Sequence, residues 1–365
     1  MAGAATDSLA DPNALTSRLG AGRVQQLVGT WALWLLIIAF ALWAAFAHTP
    51  QFVVGLIVGS LYGLSAVGLT LIYGVARVSH FAHGDAMMMA AYLAFFALTG
   101  AVVGSQAGDV ELPLHVSALP GAMDPIWRFS FGYGLVIAIV IGAMIMVPLL
   151  LAIDRVVYQP LHKRGAGTAI LAVSSLGVAI SMRGIMLFIW GADNRRYTAG
   201  IRQTVDLPGL APIVADQFFI VLAAVLLAAV TYIQLYHSRL GTAMRATADN
   251  PALARASGID VAATRRWTWI IGGALTAVAG CLLALQSQLS PELGFVLLLP
   301  IFAAAILGGV GSPHGAFIGG LIVGVVGEVV VGVGIISPGY KLAVVFVVLV
   351  TVILLRPQGL FGVRE

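Results

Sequence analysis

The stretch GAFIGGLIVGVVGEVVVGVGI, residues 315–335, consists of apolar residues and glycine, and Glu328 is its only charged side chain. A helix needs about 20 predominantly apolar residues to cross the hydrocarbon core of a bilayer. The stretch reaches that length, so it predicts a membrane-spanning helix. Its frequent glycines favour a tightly packed helical bundle, because glycine lets neighbouring helices approach closely in lipid.

Similar apolar stretches fill most of the 365-residue chain. Two of them, 294–310 and 340–355, are shorter than a usual span, so we expect them to be short, tilted or re-entrant. The pentapeptide GLIVG occurs at 55–59 and again at 320–324, which we interpret as coincidence in a chain so rich in Gly and Val. The pattern predicts an all-α, polytopic integral membrane protein with about 8–10 transmembrane helices. The ten apolar segments are 31–47, 52–73, 81–104, 132–153, 168–190, 215–236, 267–290, 294–310, 315–335 and 340–355.

The overall composition leads to the same class of protein. Apolar residues make up 60% of the chain and charged residues only 9%, whereas soluble domains carry about 25% charged residues. So few charges cannot cover a water-facing surface, which excludes a soluble enzyme, and a disordered chain would need far more charge. The basic residues form no patch of the kind that binds nucleic acid. The single cysteine, Cys281, rules out an intrachain disulfide.

Basic residues in the loops orient the bundle. If both chain ends lie inside, the inner segments hold 13 of the 19 Lys and Arg residues, in agreement with the positive-inside rule. We therefore expect a cytoplasmic tail at 1–30, a single transmembrane domain at 31–365, and outer loops at 105–131 and 191–215. The sequence Ala45-Phe46-Ala47 leaves one alternative open, because it resembles a signal peptidase site that would remove the first span.

The inner loop at 239–266, RLGTAMRATADNPALARASGIDVAATRR, predicts a short helix on the cytoplasmic side. Asp249 or Asn250 is suited to cap a helix that begins at Pro251, and Gly258 is suited to end it after about two turns. Asp260 would then cap the next helix, which continues into the membrane. The loop therefore predicts a short helix that lies outside the bilayer, between two spans.

Two interpretations of this short helix remain open. It is either a merely interfacial helix or a slim docking helix that fits a groove on a cytosolic partner. In the docking interpretation, small side chains allow a close fit and the arginines supply charge that faces the partner. The residues that would couple the chain to that partner are Arg245, Asn250, Pro251, Ala252, Ala254, Arg255 and Gly258.

The loop resembles the coupling loop of ABC-importer permeases, and four further stretches resemble one family, the branched-chain amino-acid (LivH-type) permeases. The similarity runs from about residue 52 to the end, apart from the outer loop at 105–131. One departure is Ser79-His80 ahead of Phe81, where the family more often has an apolar residue and Asn. The four stretches are GLSAVGLTLIYGVARVSHFAHGD at 63–85, LAVSSLGVAISMRGIMLFIWG at 171–191, ILGGVGSPHGAFIGGLIVGVVGE at 306–328 and LLRPQGLFG at 354–362.

The resemblance implies a permease subunit of an ATP-driven importer for branched-chain or other hydrophobic amino acids, in the bacterial cytoplasmic (inner) membrane. Its implied partners are a second homologous permease, in a heterodimer or homodimer, two cytosolic ATPases, and a periplasmic substrate-binding protein that lands on the outer loops. The chain itself would bind no cofactor, because ATP and Mg would be used by the ATPase subunits. Relatives of the same family for urea, short amides or other small organic acids are the alternative.

Missing motifs support a non-catalytic subunit. No nucleotide-binding GxxxxGK[ST] loop is present, because Lys163 precedes Arg164 and Lys341 precedes Leu342. No G-x-S-x-G, H-E-x-x-H or C-x-x-C motif is present either. A secondary transporter and a small-amide channel remain more distant alternatives, although neither explains the loop at 239–266.

The candidate gating residues begin with His83, Gly84 and Asp85, which fall within the family's hallmark motif. From the residues alone, three uses are open: capping of a helix start at the interface, a gating role, and, least favoured, a metal site. Arg183 lies within a span, where it would snorkel or pair with a carboxylate.

Other polar side chains within the apolar segments are further candidates for the translocation pathway. Glu328 lies near the middle of its segment, where a carboxylate needs a hydrogen-bonding partner or a polar pathway. We expect it either to make an interhelical hydrogen bond or to face the pathway. Ser174, Ser175 and Gln286 are candidates of the same kind, with helix packing as the alternative role.

Overall fold

Helices dominate the computed structural model, which describes residues 33–104, 108–198, 202–205, 212–334 and 336–362. The tail predicted at 1–30 lies outside the described residues. The helices are α1 (Leu33–Ala47), α2 (Thr49–Ala76), α3 (His83–Thr99), α4 (Tyr133–Ile153), α5 (Gln159–Lys163), α6 (Thr168–Trp190), α7 (Ala215–His237), α8 (Arg239–Asp249), α9 (Pro251–Ala256), α10 (Val261–Gln286), α11 (Leu293–Gly308), α12 (Pro313–Gly332) and α13 (Lys341–Leu355).

Each of the ten apolar segments forms a helix, and seven described helices are long and apolar enough to cross a membrane. The short helix predicted at 294–310 is confirmed, because α11 has 16 residues. The segment 340–355 joins the turn before it in an 18-residue helical stretch, Pro338–Leu355, which is long and apolar enough to span a membrane. The predicted span 81–104 is wrong in extent, since α3 has only 17 residues and the chain after it turns into a strand.

The most extensive helix contact among the described residues is the antiparallel seam between α2 and α12. A Cβ atom on Gly59 would lie 2.8 Å from the Cα atom of Leu321, and one on Gly324 would lie 2.4 Å from the Cα atom of Gly59. Both copies of GLIVG, 55–59 and 320–324, lie on this seam and pack against each other. The repeat is therefore more than a compositional coincidence, because each copy supplies the small residues that let the other approach.

The two ends of the described chain meet on one side of the bundle. The rings of Trp34 in α1 and Phe361 are 5.4 Å apart, and Phe361 also packs against His314 at the start of α12. The hydroxyl of Tyr236, at the end of α7, lies 3.1 Å from Nδ1 of His314. The expectation that both ends share one face agrees with these contacts. We call this face the inner face, as the loop charges indicate.

The outer face carries two short antiparallel strand pairs. Strand β1 (Ala101–Gly104) pairs with β2 (Gly108–Glu111), and β3 (Thr204–Val205) pairs with β4 (Ile213–Val214). Asp216 ties the two outer loops together by accepting hydrogen bonds from the backbone N–H of Ser130 at 2.8 Å and from its hydroxyl at 2.6 Å.

At the inner face, α4 continues through one π-helical turn, Asp154–Tyr158, into α5. Asp154 is buried and pairs with Arg265 at the start of α10, at an N–O distance of 2.5 Å. Gln159 donates a further hydrogen bond to the same carboxylate at 2.8 Å. These contacts fix the inner end of α4 to the helix that follows the loop at 239–266.

Candidate functional site

A break between α2 and α3 brings polar groups into the interior of the bundle. α2 ends where Arg77 adopts a left-handed conformation with φ at 53°, and α3 begins six residues later at His83. The backbone N–H of Ala82 donates to the hydroxyl of Ser175 in α6 at 2.9 Å. The guanidinium of Arg77 donates to the backbone oxygen of Ala248 in α8 at 2.8 Å. The break is therefore attached to α6 inside the bundle and to the inner loop outside it.

The interior side of the break is a cluster of buried rings and hydroxyls. Nε2 of His83 lies 3.0 Å from both the hydroxyl and the backbone oxygen of Ser65 in α2. The hydroxyl of Tyr158 donates to Ser175 at 3.2 Å and lies 3.3 Å from Nδ1 of His80. The indole of Trp269 stacks on Tyr158 with ring centroids 5.7 Å apart. All six side chains are buried.

Three ring nitrogens of this cluster make no hydrogen bond among the described residues: Nε2 of His80, Nδ1 of His83 and Nε1 of Trp269. An unpaired buried polar atom costs free energy, about 1–3 kcal/mol, unless water or movement satisfies it. The interior side of the break therefore carries hydrogen-bonding groups that no described residue satisfies.

Next to the cluster, Asp85 forms an ion pair with Arg183 of α6. Nε and Nη2 of Arg183 donate to Oδ1 of Asp85 at 3.0 and 2.7 Å. The side chain of Asp85 is 1% exposed and that of Arg183 is 24% exposed. The guanidinium carbon also lies 4.7 Å from the centre of the Phe295 ring in α11. Of the two expectations for Arg183, pairing with a carboxylate is confirmed.

The starts of α3 and α11 meet at two glycines. A Cβ atom on Gly84 would lie 2.1 Å from the backbone oxygen of Gly294, and one on Gly294 would lie 2.1 Å from the backbone oxygen of Gly84. Real Cβ atoms essentially never come that close to backbone. Gly84 is thus required for the crossing of these two short helices, beside Asp85.

The structure brings four of the predicted candidates together, His83, Gly84, Asp85 and Ser175. Ser174 is separate, because its hydroxyl donates back to the oxygen of Ile170 in its own helix at 2.8 Å. Gln286 ends α10 at the outer side, and its Oε1 atom is buried without a partner among the described residues. Sequence reasoning missed Ser65, Trp269 and Phe295, which resemble ordinary span residues. It also missed Tyr158, which lies between two predicted spans.

The expected mid-helix position of Glu328 is wrong. Glu328 lies one turn before the end of α12 and forms an ion pair with Lys341, the first residue of α13. The carboxylate therefore joins two helices near the outer face, which confirms the expected interhelical hydrogen bond. The predicted segment runs to residue 335, whereas α12 ends at Gly332. Glu328 therefore lies closer to the end of the helix than to the end of the predicted segment.

The loop at 239–266 forms the predicted short helix. The side chain of Asn250 caps α9 by accepting hydrogen bonds from the N–H groups of Ala252 and Leu253, both at 3.0 Å. Gly258 follows α9 with φ at 83°, the left-handed conformation that favours glycine. Asp260 caps α10 by accepting from the N–H of Ala263 at 2.9 Å. Of the two capping candidates Asn250 is the cap, because Asp249 is the last residue of α8.

The side chains of this loop divide into inward and outward groups. Ala254 is buried, whereas Arg255 is exposed and Leu253 is 64% exposed. Arg245 does not face outward as expected: its guanidinium donates to the backbone oxygen of Leu235 and lies 5.0 Å from the ring centre of Tyr236. It therefore holds α8 against the end of α7. Sequence reasoning did not identify Leu253 as a candidate docking residue, because it considered only the small and charged residues of α9.

Comparison with known proteins places this arrangement in a family. Residues 51–353 match the family model described as "Branched-chain amino acid transport system / permease component". The chain belongs to this family. The permease is 32% identical over 329 residues to the high-affinity branched-chain amino acid transport system permease protein BraD of Pseudomonas aeruginosa, which covers 87% of this chain and 97% of that relative.

Two further relatives show how widely the similarity extends. The permease is 29% identical to the high-affinity branched-chain amino acid transport system permease protein LivH of Escherichia coli K12, over 85% of this chain and 94% of the relative. It is also 29% identical to the probable branched-chain amino acid transport permease protein LivH of Methanocaldococcus jannaschii, over 84% and 90%. No solved structure gives a significant match.

Family membership and fold together make the permease a multi-pass membrane protein and the non-catalytic membrane subunit of an ABC transporter. In the part of the chain that the structure describes, no group of three or more His, Cys, Asp or Glu side chains is arranged to hold a metal ion. The polar groups at the α2–α3 break therefore belong to a protein that moves a solute.

Proposed function

We propose that the permease imports branched-chain amino acids with energy from ATP, and that α9 is the helix through which cytosolic ATPases drive it. The relatives' names support the cargo. The geometry of α9 carries the mechanical part of the proposal. It is a separate helix on the inner face, capped by Asn250 and ended at Gly258, and it presents Leu253 to the solvent. An exposed large apolar side chain on a slim, fixed helix fits a groove on a partner protein.

The contacts of the inner loop offer a route from α9 to the interior. Arg77 ties α8 to the end of α2, and Arg245 ties α8 to the end of α7. Asp260, two residues after Gly258, caps α10. A displacement of α9 would therefore reach α2, α7 and α10 together. Since α2 leads into the break at 77–82, the same displacement would shift His83 and Asp85 and open the pathway to one side at a time.

The assembly would have the composition usual for such importers. A second, homologous permease would complete the membrane part, and two cytosolic ATPases would bind ATP and Mg and press on the α9 helices. A periplasmic binding protein would deliver the cargo to the outer loops at 105–131 and 191–215 and set most of the specificity. The bacterial inner membrane is the compartment in which all these partners meet.

Uptake into proteoliposomes tests this proposal. The complete complex is reconstituted with its binding protein, and entry of labelled leucine is measured with ATP, without ATP, and against an excess of isoleucine, valine, urea or acetamide. We expect entry only with ATP, and competition only from the branched-chain amino acids. Competition by urea or acetamide instead would assign the permease to another cargo, and entry without ATP would indicate a channel or a secondary transporter.

A further inference from the structure

An apolar groove of about 440 Å³ opens on the side of the bundle between α6, α11 and α13. Phe81, from the α2–α3 break, lines the groove and stacks on Phe302 of α11 with ring centroids 5.1 Å apart. The remaining lining residues are apolar side chains of the three helices. They include Leu176 of α6, Phe295 of α11 and Phe346 of α13.

A positive charge stands next to Phe295, one of the residues that line this groove. The guanidinium of Arg183 lies over the Phe295 ring, and its side chain is 24% exposed although it belongs to a membrane-spanning helix. A charged group within a span normally faces a cavity or another protein subunit, because lipid solvates charge poorly. Arg183 therefore needs a polar neighbour on its exposed side.

The guanidinium retains hydrogen-bonding capacity after it has paired with Asp85. Nε and Nη2 both donate to the single oxygen Oδ1. Nη1 makes no hydrogen bond to any residue that the structure describes. An Arg side chain has five N–H donors in a fixed plane, which suits it to hold one carboxylate on each of two edges. Asp85 takes one edge from the buried side.

We propose that the groove and Arg183 form a transient binding site for a small apolar solute that carries a carboxylate, on the path of the cargo. The carboxylate binds the free edge of the Arg183 guanidinium, and the aliphatic side chain lies among Phe81, Phe295 and Phe302. This proposal rests on the proposed function, because it gives branched-chain amino acids a place to stop within the membrane. A volume of 440 Å³ is within the range of about 300–1,000 Å³ common for ligand sites.

The site also gives the α2–α3 break a way to sense the cargo. Phe81 lies four residues before Asp85 and two before His83, so a solute in the groove contacts the break directly. Movement of the break during transport would displace Phe81 and so change the shape of the groove. The site would then hold the cargo in one state of the permease and release it in the other.

Cysteine protection tests the site directly. The only native cysteine, Cys281, is fully buried, so a cysteine placed on α6 supplies the only accessible thiol of this chain. In the reconstituted complex, we expect leucine, but not leucinamide, to suppress maleimide labelling of Leu176→Cys. Phe188→Cys is the matched control, because Phe188 is exposed on the same helix and does not line the groove. Equal labelling of Leu176→Cys with and without leucine would overturn the proposal, as would equal protection by leucinamide.

Uptake by variants gives a second, independent test. Replacement of Arg183 alone would leave Asp85 buried and unpaired, so the double variant Arg183→Gln/Asp85→Asn is used. We expect the KM for leucine uptake to rise about ten- to hundredfold, as the loss of one charge-assisted hydrogen bond would cause. Arg155→Gln, an exposed residue outside the groove, is the control. An unchanged KM in the double variant overturns the site and leaves the proposed function intact, whereas absence of leucine uptake by the wild type overturns the function itself.

Discussion

The ion pair between Asp85 and Arg183 neutralises a carboxylate that is buried in the bundle. Removal of one partner of a buried pair leaves an uncompensated charge, which costs about 3–5 kcal/mol, whereas removal of both partners costs much less. We expect Asp85→Asn and Arg183→Gln to lower the unfolding temperature of the detergent-solubilised complex, and the double variant to recover most of that loss. Additive losses in the double variant would mean that the two side chains do not interact.

At the same place, Gly84 provides a second prediction. A methyl group at this position would meet the backbone oxygen of Gly294, and backbone cannot move aside as a side chain does. We expect Gly84→Ala to cost about 1–3 kcal/mol, as overpacking does, and to lower the yield of folded permease. Gly177→Ala is the control, since nothing lies within 4 Å of the added atom. Equal yields of the two variants would contradict the close crossing of α3 and α11.

At the residue scale, the sequence predicts which side chains are unusual more readily than it predicts their partners. His83, Gly84 and Asp85 stand out, because polar residues are rare in an apolar chain. Arg183, in contrast, lies 98 positions from its partner Asp85, and no local pattern links the two. Tyr158 and Trp269 carry no signal, since aromatic residues are common in spans and only the folded bundle shows which of them meet a histidine.

At the scale of elements, local signals located the helices well. Asn250, Pro251 and Gly258 determine the ends of α9 through backbone hydrogen bonds within a few residues, so that helix was predictable. The shortening of α3 was not predicted, because hydropathy does not show where a helix ends. The local signal at its C-terminal end is Gly100, whose φ is 69°. The start of α3 is fixed by distant contacts of the break, such as Ala82 with Ser175, and hydropathy does not record them.

The docking role of α9 makes an element-scale prediction. Leu253→Asp places a charge where an apolar contact with the ATPase is expected, and Gly258→Trp adds bulk at the end of the same helix. We expect both variants to insert normally and to lose co-purification of the ATPase subunits. Leu114→Asp is the control, because Leu114 is 92% exposed and lies in the outer loop. Retention of the ATPases by both variants would refute the docking helix.

The orientation of the whole molecule in the membrane is predicted from its contacts and its loop charges together. α1 and the C-terminal segment meet through Trp34 and Phe361, so both described ends share one face. The excess of basic residues in the adjoining loops predicts that this face is cytoplasmic. In intact cells we expect a membrane-impermeant thiol reagent to label Leu114→Cys and not Ser257→Cys. Labelling of Ser257→Cys alone would invert the topology.

The central claim is that this chain supplies the path for branched-chain amino acids while energy arrives through α9. The most direct measurement compares leucine uptake by proteoliposomes that contain the complete complex, with wild-type permease or with Gly258→Trp, at the same ATP concentration. The account predicts ATP-dependent uptake by the wild type and none above the ATP-free background by the variant. ATP-driven uptake of equal rate by both, or uptake by the wild type without ATP, would contradict it.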